Sequence, residues 1–412
     1  MNIDQGPLAG RTVLDLTRVL SGPFASQILG DLGARVIKVE RPGRPDVSRQ
    51  IPPMMGTESA YYAAVNRNKE CVSLDYRTAE GLDTLLALAA KADVLLHNFQ
   101  SGVAEDAGFG YDAVHAVNPR LIYCHLVGYG DEAGYGDRKA YDITTQAFTG
   151  MISISGSADD PPSKIAIPVG DSAGSLFAVI AILASLLQGP DAEQPPIQVA
   201  LTDSLLALLN NLGGLSLATN ANPPRVGATH YQASPYGVYR AADGEVAIAG
   251  LGDKWWQKLC EALGDPEGAA DERFATSEAR ARNRESVDSH IESLIVEMPA
   301  EQVEDLLAEA GLAVARVNTV PEALQSDYAQ ARQLVRSPDD AMPTDEPVRF
   351  VDLPIRVAGR SPGPRRAPRS QGDDTEAVLM DILDMDPEQI RSLRASGAID
   401  GPSIDRPRTS PR

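Results

Sequence analysis

The chain is poor in the residues that build metal centres and disulfide frameworks. Its three cysteines, Cys71, Cys124 and Cys260, are spread over 412 residues with no CxxC pair. That spacing argues against a zinc knuckle or a redox dithiol and predicts reduced, structural thiols. Cys71 and Cys124 lie in apolar, strand-like runs, which disfavours a catalytic thiolate. The five histidines, at positions 97, 115, 125, 230 and 290, show no metal-ligand spacing, so no metal site is expected. No Gly-x-Gly-x-x-Gly follows the first strand-like run, so the dinucleotide fingerprint is absent. Positive charge is also short: 37 Lys and Arg against 57 Asp and Glu leave a net charge of −20. This balance argues against nucleic acid or an anionic membrane surface as the main partner. It leaves room for a local basic patch facing a phosphorylated ligand. The apolar run from Leu176 to Leu187 is too short to cross a bilayer, and Met1-Asn2-Ile3-Asp4-Gln5 lacks the basic start of a signal peptide. A cytoplasmic protein is therefore expected, with no membrane, nucleic-acid or metal partner.

What is present is an alternation of strand and helix patterns. Thr12–Leu16, Arg35–Glu40, Cys71–Asp75, Val94–Asn98 and Leu121–Leu126 read as strands. Helical patterns run from Gly22 to Leu32, where Gly33 stops the helix, and from Ala79 to Lys91. Strands alternating with helices in this way indicate βαβ units and a mostly parallel sheet, an α/β fold. Ligands of such sheets bind beyond the carboxyl ends of the strands. A second α/β segment opens at Pro235-Tyr236-Gly237-Val238 and contains the strand Glu245–Ala249, a helix Lys254–Leu263 and a strand near Val314. That helix carries both tryptophans, Trp255 and Trp256, which read as packing residues. Residues 337–372 are rich in Pro, Asp, Arg and Gly and read as an extended segment; a helix pair and a disordered tail are expected after it.

The most informative residue is Asp171, in Ile167-Pro168-Val169-Gly170-Asp171-Ser172-Ala173-Gly174-Ser175. The apolar run that follows makes it an acid at the mouth of a buried helix. Two readings stand open on spacing alone. Asp is a favoured N-cap, because its carboxylate accepts amide hydrogens of the first turn. A carboxylate can equally attack an activated acyl carbon and form a covalent acyl-enzyme. Glycines at 170 and 174 would then let the backbone come close to the reacting group.

The chain resembles the class III CoA-transferases, the formyl-CoA and carnitine transferase type, over nearly its whole length. Ordered blocks carry the resemblance: Leu14-Asp15-Leu16-Thr17-Arg18-Val19-Leu20-Ser21-Gly22-Pro23, Gly33-Ala34-Arg35-Val36-Ile37-Lys38-Val39-Glu40-Arg41-Pro42-Gly43, Asn66-Arg67-Asn68-Lys69, Asn98-Phe99, Ala140-Tyr141-Asp142 and Gly170-Asp171-Ser172. It implies a Rossmann-like large domain built from both chain ends, a smaller α/β domain between them, and a homodimer of interlocked rings. The expected boundaries are 1–208 for the N-terminal part of the large domain, a linker 209–225, the small domain 226–325, a crossing segment 326–372, returning helices over 373–400, and the tail 401–412.

The resemblance also implies a reaction and its residues. Asp171 would be the nucleophile toward an acyl-CoA, and a carboxylic acid would accept the CoA. CoA serves as co-substrate, with no permanently bound cofactor. Arg41, Lys69 and Lys139 match positions that contact CoA, and Asn98 and Phe99 match the segment along its adenosine and pantetheine. Leu20, Ser21, Tyr141, Asp142, Gly250 and Gly252 match the substrate side, the two glycines as candidate oxyanion donors. One departure stands out: Val103-Ala104-Glu105-Asp106-Ala107-Gly108 has an acid where relatives often carry an arginine before the glycine, so a phosphate contact is lost or replaced. Leu20 stands where oxalate-using relatives have glutamine, which disfavours formyl transfer to oxalate. The related racemases have histidine just before the acid at 142; Tyr141 is a poor base at neutral pH. Asp142 is expected either to contact the acceptor or to hold its loop. Intramolecular transfer within a dicarboxylyl-CoA remains the alternative, and a 2-methylacyl-CoA racemase a weaker one.

Overall fold

The computed structural model describes residues 6–402 apart from 57, 190–191, 341–347 and 358. The tail expected beyond Pro402 lies outside the described residues. The chain forms two compact units. The larger runs through Thr149, resumes from Ala166 to Gly213, and takes in everything from Asp327 onward. The smaller comprises Gly150–Ile165 and Gly214–Ser326.

The larger unit is built on six strands: β1 (Thr12–Asp15), β2 (Arg35–Glu40), β3 (Lys69–Ser73), β4 (Val94–His97), β5 (Ile122–Val127) and β6 (Ile197–Ala200). All neighbours are parallel, in the spatial order β3-β2-β1-β4-β5-β6. The order reverses between β1 and β4, and a crevice at the carboxyl end of such a switch point is where ligands settle. Strand residues alternate between two cores. Leu14, Ile37, Val72 and Leu95 face one side, where helices α2 (Ala79–Ala89), α9 (Thr375–Leu383) and α10 (Pro387–Ala395) add Leu85, Leu88, Leu379 and Ile390. Val13, Val36, Val94 and Leu96 face the other, covered by α1 (Ser21–Asp31) and α4 (Val169–Leu187) through Ile28, Leu29, Ala178 and Ile182. Burial on both faces explains why these strands read as continuous apolar runs. The chain returns to close the β3 edge, where Asp374 accepts from the Cys71 amide at 2.9 Å and Thr375 from the Ser73 amide at 3.0 Å.

Three expectations about chain segments change. The apolar stretch read as Leu176–Leu187 belongs to a longer helix. α4 has 19 residues and a mean hydropathy of 1.8 over its 18-residue window, so by length and composition it could cross a bilayer. The small residues of Gly170–Ser175 hid its first turn. Of the expected crossing segment 326–372, the described residues from Asp327 onward are part of the larger unit: the Asn68 side chain accepts from the Arg365 and Arg366 amides at 2.8 Å each, and Arg67 donates to the Val351 carbonyl. Residues 150–165 belong to the smaller unit, although they were expected in the large domain.

The smaller unit holds an antiparallel sheet of β7 (Tyr236–Arg240), β8 (Glu245–Ala249) and β9 (Ala313–Arg316), with β8 central. Its core joins Tyr239, Val246 and Ile248 to Trp256 and Leu259 of α6 (Asp253–Leu263), Val287 and Ile291 of α7 (Arg284–Ile295), and Val303 and Leu307 of α8 (Ala300–Glu309). Trp256 is a packing residue whose indole donates to the Gly268 carbonyl at 3.1 Å.

The three cysteines are free and buried. Burial lifts the Cys124 and Cys260 thiols to about 12, which keeps them protonated and unreactive near neutral pH.

Candidate functional site

The loops leaving β1, β4 and β5 at their carboxyl ends, with the start of α5 (Leu201–Leu208), enclose a cavity of about 430 Å³. Its walls include Arg18 to Ser21, Asn98 to Ser101, Leu126 to Gly128, Arg138 to Asp142, Asp171 and Leu201. Every one of these residues belongs to the larger unit. The cavity therefore lies at the switch point between β1 and β4.

Asp171 is the third residue of α4, and its carboxylate is not a cap. The N-cap position is Pro168, which has no side chain to donate or accept. The Gly170 amide instead donates to Asp142 Oδ1 at 2.7 Å. Asp142 thus satisfies the orphan donor that an N-terminal acid would otherwise take, and its Oδ2 accepts from Gln146 Nε2 at 2.6 Å. Of the two roles expected for Asp142, holding the helix start is the one this geometry supports. Gly170 keeps this approach free of crowding, since a Cβ would sit 3.0 Å from both Asp142 Oδ1 and Thr145 Oγ1.

Freed from capping, the Asp171 carboxyl is shifted. Burial, and then the negative charge of Asp142, raise it to about 6, while a hydrogen bond with Ser21 pulls it back. Ser21 opens α1, and its carbonyl accepts from Ser175 Oγ at 2.6 Å, which ties the starts of α1 and α4 together. Tyr61 also senses the Asp171 charge; burial, then that charge, push its phenol upward. A half-buried carboxylate raised to about 6 on a cavity wall suits an acid, a base or a nucleophile.

The other residues singled out from the sequence divide sharply. Leu20, Ser21, Tyr141, Asp142, Asn98, Phe99 and Lys139 all line the cavity. Tyr141 is 75% exposed and precedes α3 (Asp142–Phe148). Phe99 forms an aromatic wall, stacked on His97 at 5.6 Å with the Arg18 guanidinium 5.7 Å from its ring centre. The Asn98 side chain has a different engagement from the one expected. Its oxygen accepts from the Arg18 amide and its nitrogen donates to the Arg18 carbonyl, each at 2.9 Å.

Lys69 is a correction. Its side chain is 0% exposed and donates to Asp15 at 2.9 Å, to the Pro23 carbonyl at 2.9 Å and to Asn66 at 2.8 Å. All three ammonium protons are engaged in the core, so none is available to a phosphate. The whole Asn66-Arg67-Asn68-Lys69 block is internal bracing: Asn66 donates to the Tyr62 carbonyl and Arg67 pairs with Asp31 at 2.6 Å. Arg41 is engaged too. It lies outside the cavity walls and donates to Asp75 at 3.0 Å over the Tyr76 ring. Gly250 is corrected as an oxyanion donor, because its amide already donates to the Pro235 carbonyl at 3.0 Å. Its lack of a side chain has a packing cause, since a Cβ would fall 2.1 Å from the Trp255 ring. Gly252 precedes α6 in the smaller unit, and its carbonyl accepts from Arg280 at 3.1 Å.

Two cavity cations escaped the sequence reading. Arg18 and Arg138 line the walls beside Lys139. Both sit inside or next to quoted motifs, so the signal was present, but nothing local says which basic residue faces a cavity.

The sequence matches CoA-transferase family III over residues 8–375. It is 33% identical over 378 residues to the acetyl-CoA:oxalate CoA-transferase of Acetobacter aceti, covering 91% of this chain and 95% of that protein. It is 34% identical over 387 residues to the succinyl-CoA:mesaconate CoA-transferase of Haloarcula hispanica, covering 91% and 96%. A solved CaiB/BaiF family protein from Brucella suis has a TM-score of 0.84 at 32% identity, covering 92% of this chain and 100% of that one. The fold is that of the CaiB/BaiF family protein, and the curated relatives are CoA-transferases. The chain belongs to CoA-transferase family III.

Proposed function

We propose that the protein moves CoA from a short acyl-CoA, succinyl-CoA in the first instance, to a dicarboxylic acid, with Asp171 as nucleophile. The observation that carries this reading is the half-buried Asp171 carboxylate on the cavity wall, with the capping of its helix taken by Asp142. Two of the relatives named above carry a dicarboxylate in their names, oxalate with acetyl-CoA and mesaconate with succinyl-CoA. Arg18, Arg138 and Lys139 supply positive charge along the walls for phosphates or for the far carboxylate of a diacid.

An Asp171 oxygen attacks the thioester carbonyl, the C–S bond breaks, and CoA leaves as thiolate. The thiolate attacks the aspartyl carbonyl of the mixed anhydride and expels the donor acid, leaving an aspartyl-CoA thioester. The acceptor carboxylate attacks that thioester and releases thiolate again. The thiolate then attacks the acceptor's acyl carbonyl, which forms the new acyl-CoA and regenerates Asp171. Each intermediate keeps the activation of the original thioester, so every step is reversible. Such a mechanism requires the ionised carboxylate. The rate is therefore expected to rise with pH through about 6, the value to which burial and Asp142 push Asp171. Asp142→Asn keeps an oxygen acceptor for the Gly170 amide but removes the charge, so the acid limb of kcat should move to lower pH. An unchanged limb would mean that Asp171 is not the titrating group.

The assay is incubation with succinyl-CoA and a panel of acids, including mesaconate, glutarate and oxalate, with CoA exchange followed by mass spectrometry. Hydroxylamine added during turnover should convert Asp171 to a hydroxamate only when acyl-CoA is present. Transfer without any added acid would favour the intramolecular alternative. Solvent deuterium entering the α-carbon, with Asp171 unlabelled, would replace this reading with a racemase.

A cytoplasmic homodimer of interlocked rings belongs to the same proposal. Its support is an exposed apolar face on the larger unit: Leu176, Phe177, Ile180 and Leu187 of α4, with Leu206 and Leu208 of α5. A partner surface would bury these residues. Light scattering should give an unchanged dimer mass down to nanomolar protein, because linked rings part only on unfolding; a monomer under native conditions rules this out.

A further inference from the structure

The turn between β1 and α1 contains a backbone conformation that its sequence does not favour. Val19 has φ of +69°, in the left-handed region that β-branched residues avoid. It lines the cavity and is 39% exposed, so packing of its own side chain does not impose that conformation. The restraint comes from behind. The Val19 amide donates to both Asp46 oxygens, at 3.2 and 3.1 Å. Asp46 is fully buried, accepts from Ser48, and pairs at 3.2 Å with the equally buried Lys38. Lys38 in turn donates to the Thr17 carbonyl at 2.9 Å. With Asn98 on both polar groups of the Arg18 backbone and Asp15 accepting from the Thr17 amide, four side chains hold the run from Thr17 to Val19. The next residues are Leu20, on the cavity wall, and Ser21, the hydrogen-bond partner of Asp171.

We propose that Asp46 is a positioning residue for the transfer reaction: from its buried pair with Lys38 it holds Val19 left-handed and so aims the Leu20-Ser21 turn at Asp171. Asp46 lies outside the cavity walls and touches no reacting atom. Its effect passes through one backbone hydrogen-bond donor. Without it, Val19 relaxes toward extended backbone, the turn swings, and the Ser21 hydroxyl leaves the Asp171 carboxylate. The proposal rests on Asp171 being the reacting group.

The test compares wild type, Asp46→Ala and the double variant Asp46→Ala/Val19→Gly for kcat and KM with succinyl-CoA and an accepted diacid. Glycine takes positive φ without a clamp. Asp46→Ala is expected to lose about tenfold to a hundredfold in kcat, the size of a misplaced reacting group, with KM changed by less than about threefold. Adding Val19→Gly should recover most of that loss, which a purely structural role for Asp46 would not predict. A double variant no faster than Asp46→Ala, or Asp46→Ala with wild-type kcat, overturns the proposal. Should loss of the buried pair with Lys38 prevent Asp46→Ala from folding, Val19→Pro breaks the same restraint from the exposed side by fixing φ near −65° and deleting the donor. It should lose kcat alike, and wild-type kcat there is equally fatal. Hydroxylamine trapping separates the two readings. Wild type that never yields the Asp171 hydroxamate defeats the nucleophile assignment, while trapping at the wild-type rate in Asp46→Ala defeats only the positioning role.

Discussion

Asp171→Asn is expected to abolish CoA transfer while leaving the fold intact and raising the melting temperature near neutral pH. The amide has the same shape but cannot form the acyl anhydride, so the loss should be about a thousandfold or more, as when other covalent nucleophiles are removed. The fold should survive because α4 does not use Asp171 as its cap; Asp142 holds the Gly170 amide. The stability effect follows from linkage. Folding lifts this carboxyl from 3.8 to about 6, burial being the first cause and Asp142 the second. A raised carboxyl means that ionisation opposes folding: the penalty is absent below 3.8, grows between the two values and is complete above about 6. The variant's advantage in melting temperature should therefore be largest above pH 6 and vanish toward pH 4. Retained activity of more than a few per cent would remove Asp171 from the mechanism. A variant less stable than wild type at neutral pH would show instead that the carboxylate supports the helix.

Lys69→Met is expected to destabilise the protein severely and to leave the affinity of the surviving folded fraction for acyl-CoA unchanged. Its ammonium is one half of a fully buried pair with Asp15 and holds two further acceptors. Removing it strips Asp15 of the strongest of the partners that hold it ionised against burial, with Lys38 and the hydroxyls of Thr17 and Ser26 remaining. Deleting one partner of a buried ion pair typically costs roughly 3–5 kcal/mol, a large part of a domain's stability. Urea unfolding would read this directly. Arg138→Met and Lys139→Met should behave in the opposite way, with an unchanged unfolding midpoint and a raised KM at constant kcat, the pattern of lost uniform binding. If Lys69→Met raised KM while keeping the wild-type midpoint, the lysine would be a phosphate ligand after all and the buried pair would be unimportant.

The contrast between Lys69 and Lys139 shows what a sequence carries. Both stand in blocks that resemble the same family, and both are basic. Lys139 follows β5 by a long loop and reaches the cavity. Lys69 begins β3, whose residues face two apolar layers, so its ammonium must find partners inside. Asp15, its partner, lies 54 positions earlier in the chain. Asn98 misled for a related reason. An amide beside a binding cleft reads as a ligand contact, and only the path of the β1–α1 turn shows that Arg18 engages both ends of it. The edge strand Ile197–Ala200 escaped because four residues between a helix and another helix carry too little periodicity to register.

The α/β class, the strand and helix alternation, the second unit and the singular position of Asp171 were determined by the sequence alone. They rest on local periodicity, on glycine and proline punctuation, and on ordered motifs, all of which are written along the chain. Tertiary structure decided whether Asp171 caps its helix, which basic residues face the cavity, why Gly250 lacks a side chain, and what holds Val19 left-handed. Most of these depend on a partner far away in the chain, Asp142, Asp15 or Asp46, Gly250 depends on how the nearby Trp255 ring folds back over it, and burial turns an ordinary charge into a core pair and an ordinary carboxylate into one shifted up to about 6.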